Sequence, residues 1–158
     1  MGLDKTVQII AFLSGVQSTK GDHGHAVTAL IVMPVSLLIT WQNEINRWTP
    51  QLRFFVFHDI DRRERMRGLA KIQEYGGILL KTYGTLIAAW QDISTDFNRS
   101  GKFLNNARQR FPEDKLNKED MYTWDYIILD VAYKVKNPSS KTTKALRSIP
   151  GTKLPFLY

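Results

Sequence analysis

Two groups of residues, far apart in the chain, have the types and spacing of a site that handles phosphate. Gly2, Lys5 and Thr6 stand just ahead of the run Val7-Gln8-Ile9-Ile10. A glycine, then lysine-threonine, then an apolar helix is the tail of a phosphate-binding loop. There, backbone N–H groups and a helix N-terminus converge on an anion. Lys5 would reach the β- and γ-phosphates, and the Thr6 hydroxyl would bind magnesium. The second group ends the run Asp125-Tyr126-Ile127-Ile128-Leu129-Asp130. It reads as a short buried strand closing on a carboxylate, a place where nucleotide-hydrolysing folds hold magnesium directly or through water.

Each group departs from working chemistry at one position. Asp4 stands immediately before Lys5, where the backbone must come close to phosphate. A carboxylate there repels a polyphosphate by about 1 kcal/mol at ~4 Å in water, and by about 4 at an effective dielectric near 20. That weakens binding by orders of magnitude. After Asp130, the position for the acid that activates water holds Val131, which accepts no proton. Tyr133 stands where a histidine often links such a site to the rest of the machine. Taken singly, Lys5-Thr6 is also an ordinary helix start, and Asp130 an ordinary turn cap.

Positioning these residues takes strands and helices in alternation. Four nearly continuous apolar runs, Ala29–Met33, Phe54–Phe57, Gly77–Leu80 and Tyr126–Leu129, fit strands buried on both faces of a parallel sheet. Between them lie helical patterns at Thr6–Leu13, Ser36–Trp48 and Asp61–Glu74, and a last one at Ser139–Ser148 capped by Ser139 or Ser140. In the second, Leu37, Leu38, Trp41, Ile45 and Trp48 share one face, Ser36 is available as the cap, and Trp41 and Trp48 read as core residues. In the third, Met66, Leu69 and Ile72 face away from an arginine-rich side. The alternation implies an α/β domain with right-handed crossovers. The polar stretch from about Asp92 to Asp120 reads as an insertion on the rim.

Two further strand ends bring hydroxyls to the same edge: Ser36, just after Met33-Pro34, and Thr82-Tyr83, after Lys81. A helix N-terminus with a hydroxyl suits a phosphate of nucleic acid. From Val131 onward the chain has Lys134, Lys136, Lys141, Lys144, Arg147 and Lys153 and no acid, within a formal net charge of +7. Such a run is usually a solvated face, but its place beside these strand ends suits DNA backbone contact. His23, His25 and His58 form no metal set, and the absence of cysteine removes disulfides and thiolate sites. No apolar run approaches the roughly 20 residues that span a bilayer. Gly2 with Thr6 also matches a myristoylation pattern, but the phosphate loop accounts for the same residues.

In order, these motifs resemble the Swi/Snf-type DNA translocases of helicase superfamily two. Met1–Gln8 is similar to their "MGLGKTVQ", Ala29–Trp48 to "LIVCPxSLxxxWxxEFxxW", Lys81–Leu86 to "TTYxxL" and Asp125–Asn137 to "DYVILDEAHKIKN". Ile9–Gly15 and Asn46–Pro50 resemble the Cockayne-syndrome-B and PICH-like branch. The resemblance implies a three-layer RecA-like (P-loop NTPase) domain with a parallel sheet flanked by helices. It implies ATP bound along Gly2, Leu3, Asp4, Lys5 and Thr6, and magnesium at Thr6 and Asp130. Double-stranded DNA or chromatin would be the partner, with Ser36, Thr82, Tyr83, Lys134 and Lys136 near its track. The setting would be nuclear DNA repair, chromatin remodelling or chromosome maintenance. No membrane role is implied.

On that resemblance residues 1–158 are expected to be the first RecA-like lobe, shortened at both ends and lacking the second lobe with its arginine finger. Val131 in the general-base position leaves no catalytic residue intact, so hydrolysis is expected to be impaired. Two other expectations stand beside this one. The chain is a non-catalytic basic module that binds DNA or protein, or it is a gene fragment without independent function.

Overall fold

Strand residues alternate between two apolar layers, and that alternation organises the fold. The computed structural model describes residues 3–21, 27–58, 60–86, 123–130, 139–149 and 151–154. The strands are β1 (Thr28–Met33), β2 (Phe54–Phe57), β3 (Gly77–Thr82), β4 (Trp124–Leu129) and β5 (Gly151–Leu154). They form one sheet in the order β2-β3-β1-β4-β5, every neighbouring pair parallel. Helices α1 (Leu3–Gly21) and α2 (Leu38–Trp48) cover one face, where Ile9, Ile10, Leu13, Trp41 and Ile45 meet Ala29, Ile31, Met33, Ile78, Leu80 and Ile128. Helices α3 (Arg62–Tyr75) and α4 (Lys141–Ser148) cover the other, where Leu69, Ile72 and Leu146 meet Leu30, Val32, Leu79 and Ile127. The three-layer α/β arrangement with a parallel sheet is the expected one.

The four expected strands are present, each within a few residues of its apolar run. The fifth is unexpected, because Gly151-Thr152-Lys153-Leu154 carries a single aliphatic side chain. It pairs with β4 by close backbone approach: a Cβ on Gly151 would lie 2.6 Å from the Trp124 carbonyl oxygen. Trp124 is opposite Gly151 and Tyr126 opposite Thr152, so Asp125 is an extra residue, a β-bulge. The bulge explains how Trp124 and Ile127, three positions apart, reach the same apolar layer. It also leaves the Asp125 carboxylate to accept the Thr28 N–H at 2.9 Å and hydroxyl at 3.1 Å, which ties β4 to the start of β1.

Helix boundaries differ from the periodicity in instructive ways. α1 continues past Leu13 to Gly21, because nothing in Ser14–Lys20 breaks a helix and the Gln17 side chain accepts the Val27 N–H at 3.1 Å. Ser36 does not cap α2. It lies in a 3-10 turn, Val35–Leu37, entered from Pro34, and Leu37 precedes α2 without a side-chain cap. Trp48 is half exposed rather than in the core, its indole N–H donating to Glu44 at 2.6 Å and its ring beneath the Arg47 guanidinium. Asp61 caps α3 and Ser140 caps α4, each accepting an amide of the first turn. The expected insertion at about 92–120 lies outside the described residues.

Two glycine substitutions separate in sign. Gly77 has φ of +136° and a Cβ there would sit 2.7 Å from the Arg53 carbonyl oxygen, so Gly77→Ala costs about 1–3 kcal/mol of stability. Gly15 is mid-helix with nothing within 4 Å of a Cβ, so Gly15→Ala adds about 0.5–1 kcal/mol. Urea midpoints measure both; equal midpoints contradict this backbone geometry.

Candidate nucleotide and nucleic-acid site

Parallel strands bring their carboxyl ends to one edge, the edge where α/β sheets bind ligands. Met33, Phe57, Thr82 and Leu129 all end there, and Asp130 follows directly on β4. Asp130 is only 7% exposed, so its polar groups need partners inside the protein. Its N–H donates to the Val32 carbonyl at 2.8 Å, continuing the β1–β4 ladder by one residue. The Tyr83 hydroxyl donates to its carbonyl at 2.9 Å. The Trp41 indole N–H donates to its carboxylate oxygen Oδ2 at 2.8 Å. A hydrogen bond to a charged group stabilises by about 1.5–3 kcal/mol. Among the described residues, no donor is paired with the other oxygen, Oδ1.

The first turn of α1 reaches the same edge. Gln17 is bonded to Val27, at the opposite end of β1, so α1 runs antiparallel to the strands. The Phe12 ring packs edge-on against Tyr126, with centroids 5.2 Å apart. From that level, α1 rises ~9 Å back to Thr6 and β4 runs ~13 Å on to Asp130. Thr6 and Asp130 therefore end at similar height. Thr6 is buried at 6% exposure and Lys5 is half-buried. Of the expected nucleotide residues, Lys5 and Thr6 thus lie near the start of α1 and Asp130 at the end of β4, at a similar level along the sheet. Leu3 and Asp4 belong to the first turn of α1, while Gly2 and Val131 lie outside the described residues.

Of the expected DNA contacts, Ser36 is exposed at the edge, beside exposed Val35 and Ile39. Thr82 and Tyr83 reach the edge with their side chains turned inward. The Thr82 hydroxyl bonds the Thr85 hydroxyl at 2.9 Å and accepts the Thr85 N–H, while that of Tyr83 holds Asp130. Lys134 and Lys136 lie outside the described residues. Lys81 is 1% exposed, with its ammonium 5.5 Å from the Phe57 ring centroid, a desolvated cation–π contact. The residue that sequence reasoning missed is Trp41. Its helical phase puts it in the core, and a buried indole needs an acceptor. Which acceptor depends on β1 and β4 being neighbours, and local sequence does not state that.

Other regions offer less. An open cavity of about 350 Å³ lies at the opposite edge, with Gln17, Arg53, Tyr75 and Gly77 in its wall. It holds no acid and is remote from Asp130. There, the Glu74 side chain, by hydrogen bond and charge, raises the Tyr75 hydroxyl above its ordinary value of 10.0. Among the described residues no three His, Asp or Glu side chains group into a metal cage, and no helix is long and apolar enough to cross a membrane.

A three-layer parallel α/β domain, with a lysine-threonine helix start and a strand-end aspartate at one edge, defines a nucleotide-binding fold of the RecA-like class. The chain belongs to the SNF2-related domain family, whose profile matches residues 1–153. It is 39% identical over 153 residues to the bovine (Bos taurus) DNA excision repair protein ERCC-6-like, covering 96% of this chain and 10% of that protein. It is 31% identical over 147 residues to the ISWI chromatin-remodeling complex ATPase ISW1 of Saccharomyces cerevisiae, covering 93% of this chain and 10% of that one. Among solved structures, the Sulfolobus solfataricus SWI2/SNF2 ATPase core in complex with dsDNA superposes with a TM-score of 0.60 at 27% identity, covering 97% of this chain and 25% of that chain. The chain thus spans about a tenth of the length of its curated relatives.

The Tyr83 bond can be tested alone. Tyr83→Phe keeps the ring and leaves the Asp130 carbonyl without that donor, so it lowers stability by about 1–2 kcal/mol in chemical denaturation. An unchanged midpoint contradicts the bond.

Proposed function

We propose that this chain acts as the ATP-binding lobe of an SNF2-type DNA translocase, one that binds nucleotide but turns it over poorly. The observation that carries the reading is Asp130, a nearly buried carboxylate with one oxygen unpaired among the described residues, at the height of the first turn of α1. Magnesium suits such a set, because it takes one or two protein oxygens together with phosphates and water. Thr6 and Asp130 would hold it, and Lys5 would meet the phosphates. The ion's contribution would be to neutralise phosphate charge. Asp4 beside Lys5 and Val131 after Asp130 support weak binding and slow turnover. Duplex DNA would lie along the edge at Ser36, with Thr82 and Tyr83 supporting it from inside. Residues of about 92–120 would form a rim insertion on a single lobe. The names of the relatives support a nuclear role in DNA repair or chromatin remodelling.

Titration with fluorescent ADP and magnesium tests the nucleotide part. Lys5→Ala weakens binding, and Asp4→Gly tightens it by about fivefold or more, as the repulsion removed is worth ~1–4 kcal/mol. Equal affinities would remove this loop from the site. ATP turnover with DNA present, at the rate of an intact translocase, would contradict the impairment.

A second reading, a basic binding module without turnover, is favoured by one feature of α3. Arg63, Arg67 and Lys71 are exposed and recur every fourth residue, so they stack along one face. Like charges so spaced repel one another, which an anionic partner relieves. If duplex DNA binds there, changing all three to glutamine flattens the slope of log K against log salt by about 0.9 for each phosphate no longer neutralised. An unaltered slope takes α3 out of the interface.

A further inference from the structure

Three bonds hold Asp130, and they do different things. Those from Asp130 N–H to Val32 and from Tyr83 to the Asp130 carbonyl fix the main chain. Among the described residues only Trp41 donates a hydrogen bond to the carboxylate, at 2.8 Å through Oδ2. With the backbone fixed, the carboxylate's remaining freedom is rotation about two side-chain bonds, and one directed donor removes it. The choice of donor matters. A lysine or arginine would neutralise the charge and compete with a cation, whereas an indole N–H carries no charge and accepts nothing. Held this way, the carboxylate has one oxygen without a donor among the described residues. Trp41 is itself fully buried, in the cluster with Ile9 and Ile45 on the face of the sheet covered by α1 and α2.

We propose that Trp41 is a positioning residue for a nucleotide-bound divalent cation. It grips Asp130 by Oδ2 so that Oδ1 is the oxygen presented to the ion or to its water. The 3-10 turn that leads directly into this helix holds exposed Val35 and Ser36, so the residue that orients the carboxylate lies one turn beyond the candidate DNA edge. The inference rests on the reading of Asp130 as the metal carboxylate. The competing role for Trp41 is packing alone, its N–H merely satisfied by the nearest acceptor.

The test uses the full chain, ADP, and manganese as the probe, with free manganese read by electron paramagnetic resonance. ADP affinity is measured separately in chelator. Trp41→Phe keeps most of the ring volume. It lowers manganese affinity of the ADP complex by roughly tenfold or more, as loss of supporting bonds to metal ligands does, and leaves ADP affinity in chelator unchanged. Unchanged manganese affinity overturns the proposal, as does an equal fall in both affinities, which marks a packing role. Asp130→Asn separates the two layers of the claim. If it loses manganese while Trp41→Phe does not, only the role of Trp41 fails. If it binds manganese as well as the unaltered chain does, or the unaltered chain binds none, the site reading itself fails. Should Trp41→Phe not fold, the indole ¹H–¹⁵N resonance of Trp41 in the unaltered chain replaces it. That resonance moves on addition of magnesium and ADP; a resonance that stays in place overturns the proposal.

Discussion

A carboxylate is buried only where donors meet it, and that requirement at Asp130 ties this fold together. The residue closes β4, extends the ladder to Val32, takes the Tyr83 hydroxyl on its carbonyl and the Trp41 indole on its side chain. Four separate stretches of sequence thus converge on one residue. Breaking a buried charged hydrogen bond leaves a desolvated group behind, which costs more than the bond contributes. The convergence therefore specifies register as well as stability. If β1 and β4 were not neighbours, or α2 were rotated by one residue, the indole and the carboxylate would not meet.

Much of this is legible in the sequence. The continuous apolar runs at Ala29–Met33 and Tyr126–Leu129 name parallel strands, because a sheet covered on both faces buries all of the first and the Ile127-Ile128 centre of the second. The Asp61 and Ser140 caps follow from side-chain chemistry that acts within one helical turn. Sequence reasoning fails where the deciding interaction is non-local. β5 forms because Gly151 lets the backbone approach Trp124, which no apolar pattern signals. Trp48 has the right helical phase for the core, yet it lies at the end of α2, beyond the sheet's cover, and settles on Glu44 and Arg47. Ser36 loses the cap to the 3-10 turn that Pro34 begins, since the turn places Leu37 where the cap would be.

The site shows the same division. Its locations, at the carboxyl edge of the sheet and the start of α1, follow from motif order. Its bonds do not. Thr82 and Tyr83 have the sequence position of edge hydroxyls, and both turn inward, one to close a turn and one to hold Asp130. What faces outward at the edge is instead the 3-10 turn ahead of α2, with its exposed Ser36. The hydrogen-bonded frame around Asp130 is well formed, while Asp4 precedes Lys5 and Val131 follows Asp130 in the sequence. A frame kept by packing and hydrogen bonds does not depend on the residue at position 131, so on the proposed reading binding and turnover would separate.

The most direct measurement is anomalous diffraction from a crystal of the chain grown with manganese and ADP. A single manganese peak within coordination distance of Asp130 Oδ1 and beside the Thr6 hydroxyl, with Oδ2 still on the Trp41 indole, is the predicted result. A peak elsewhere on the chain, or ADP bound away from the first turn of α1, would contradict it.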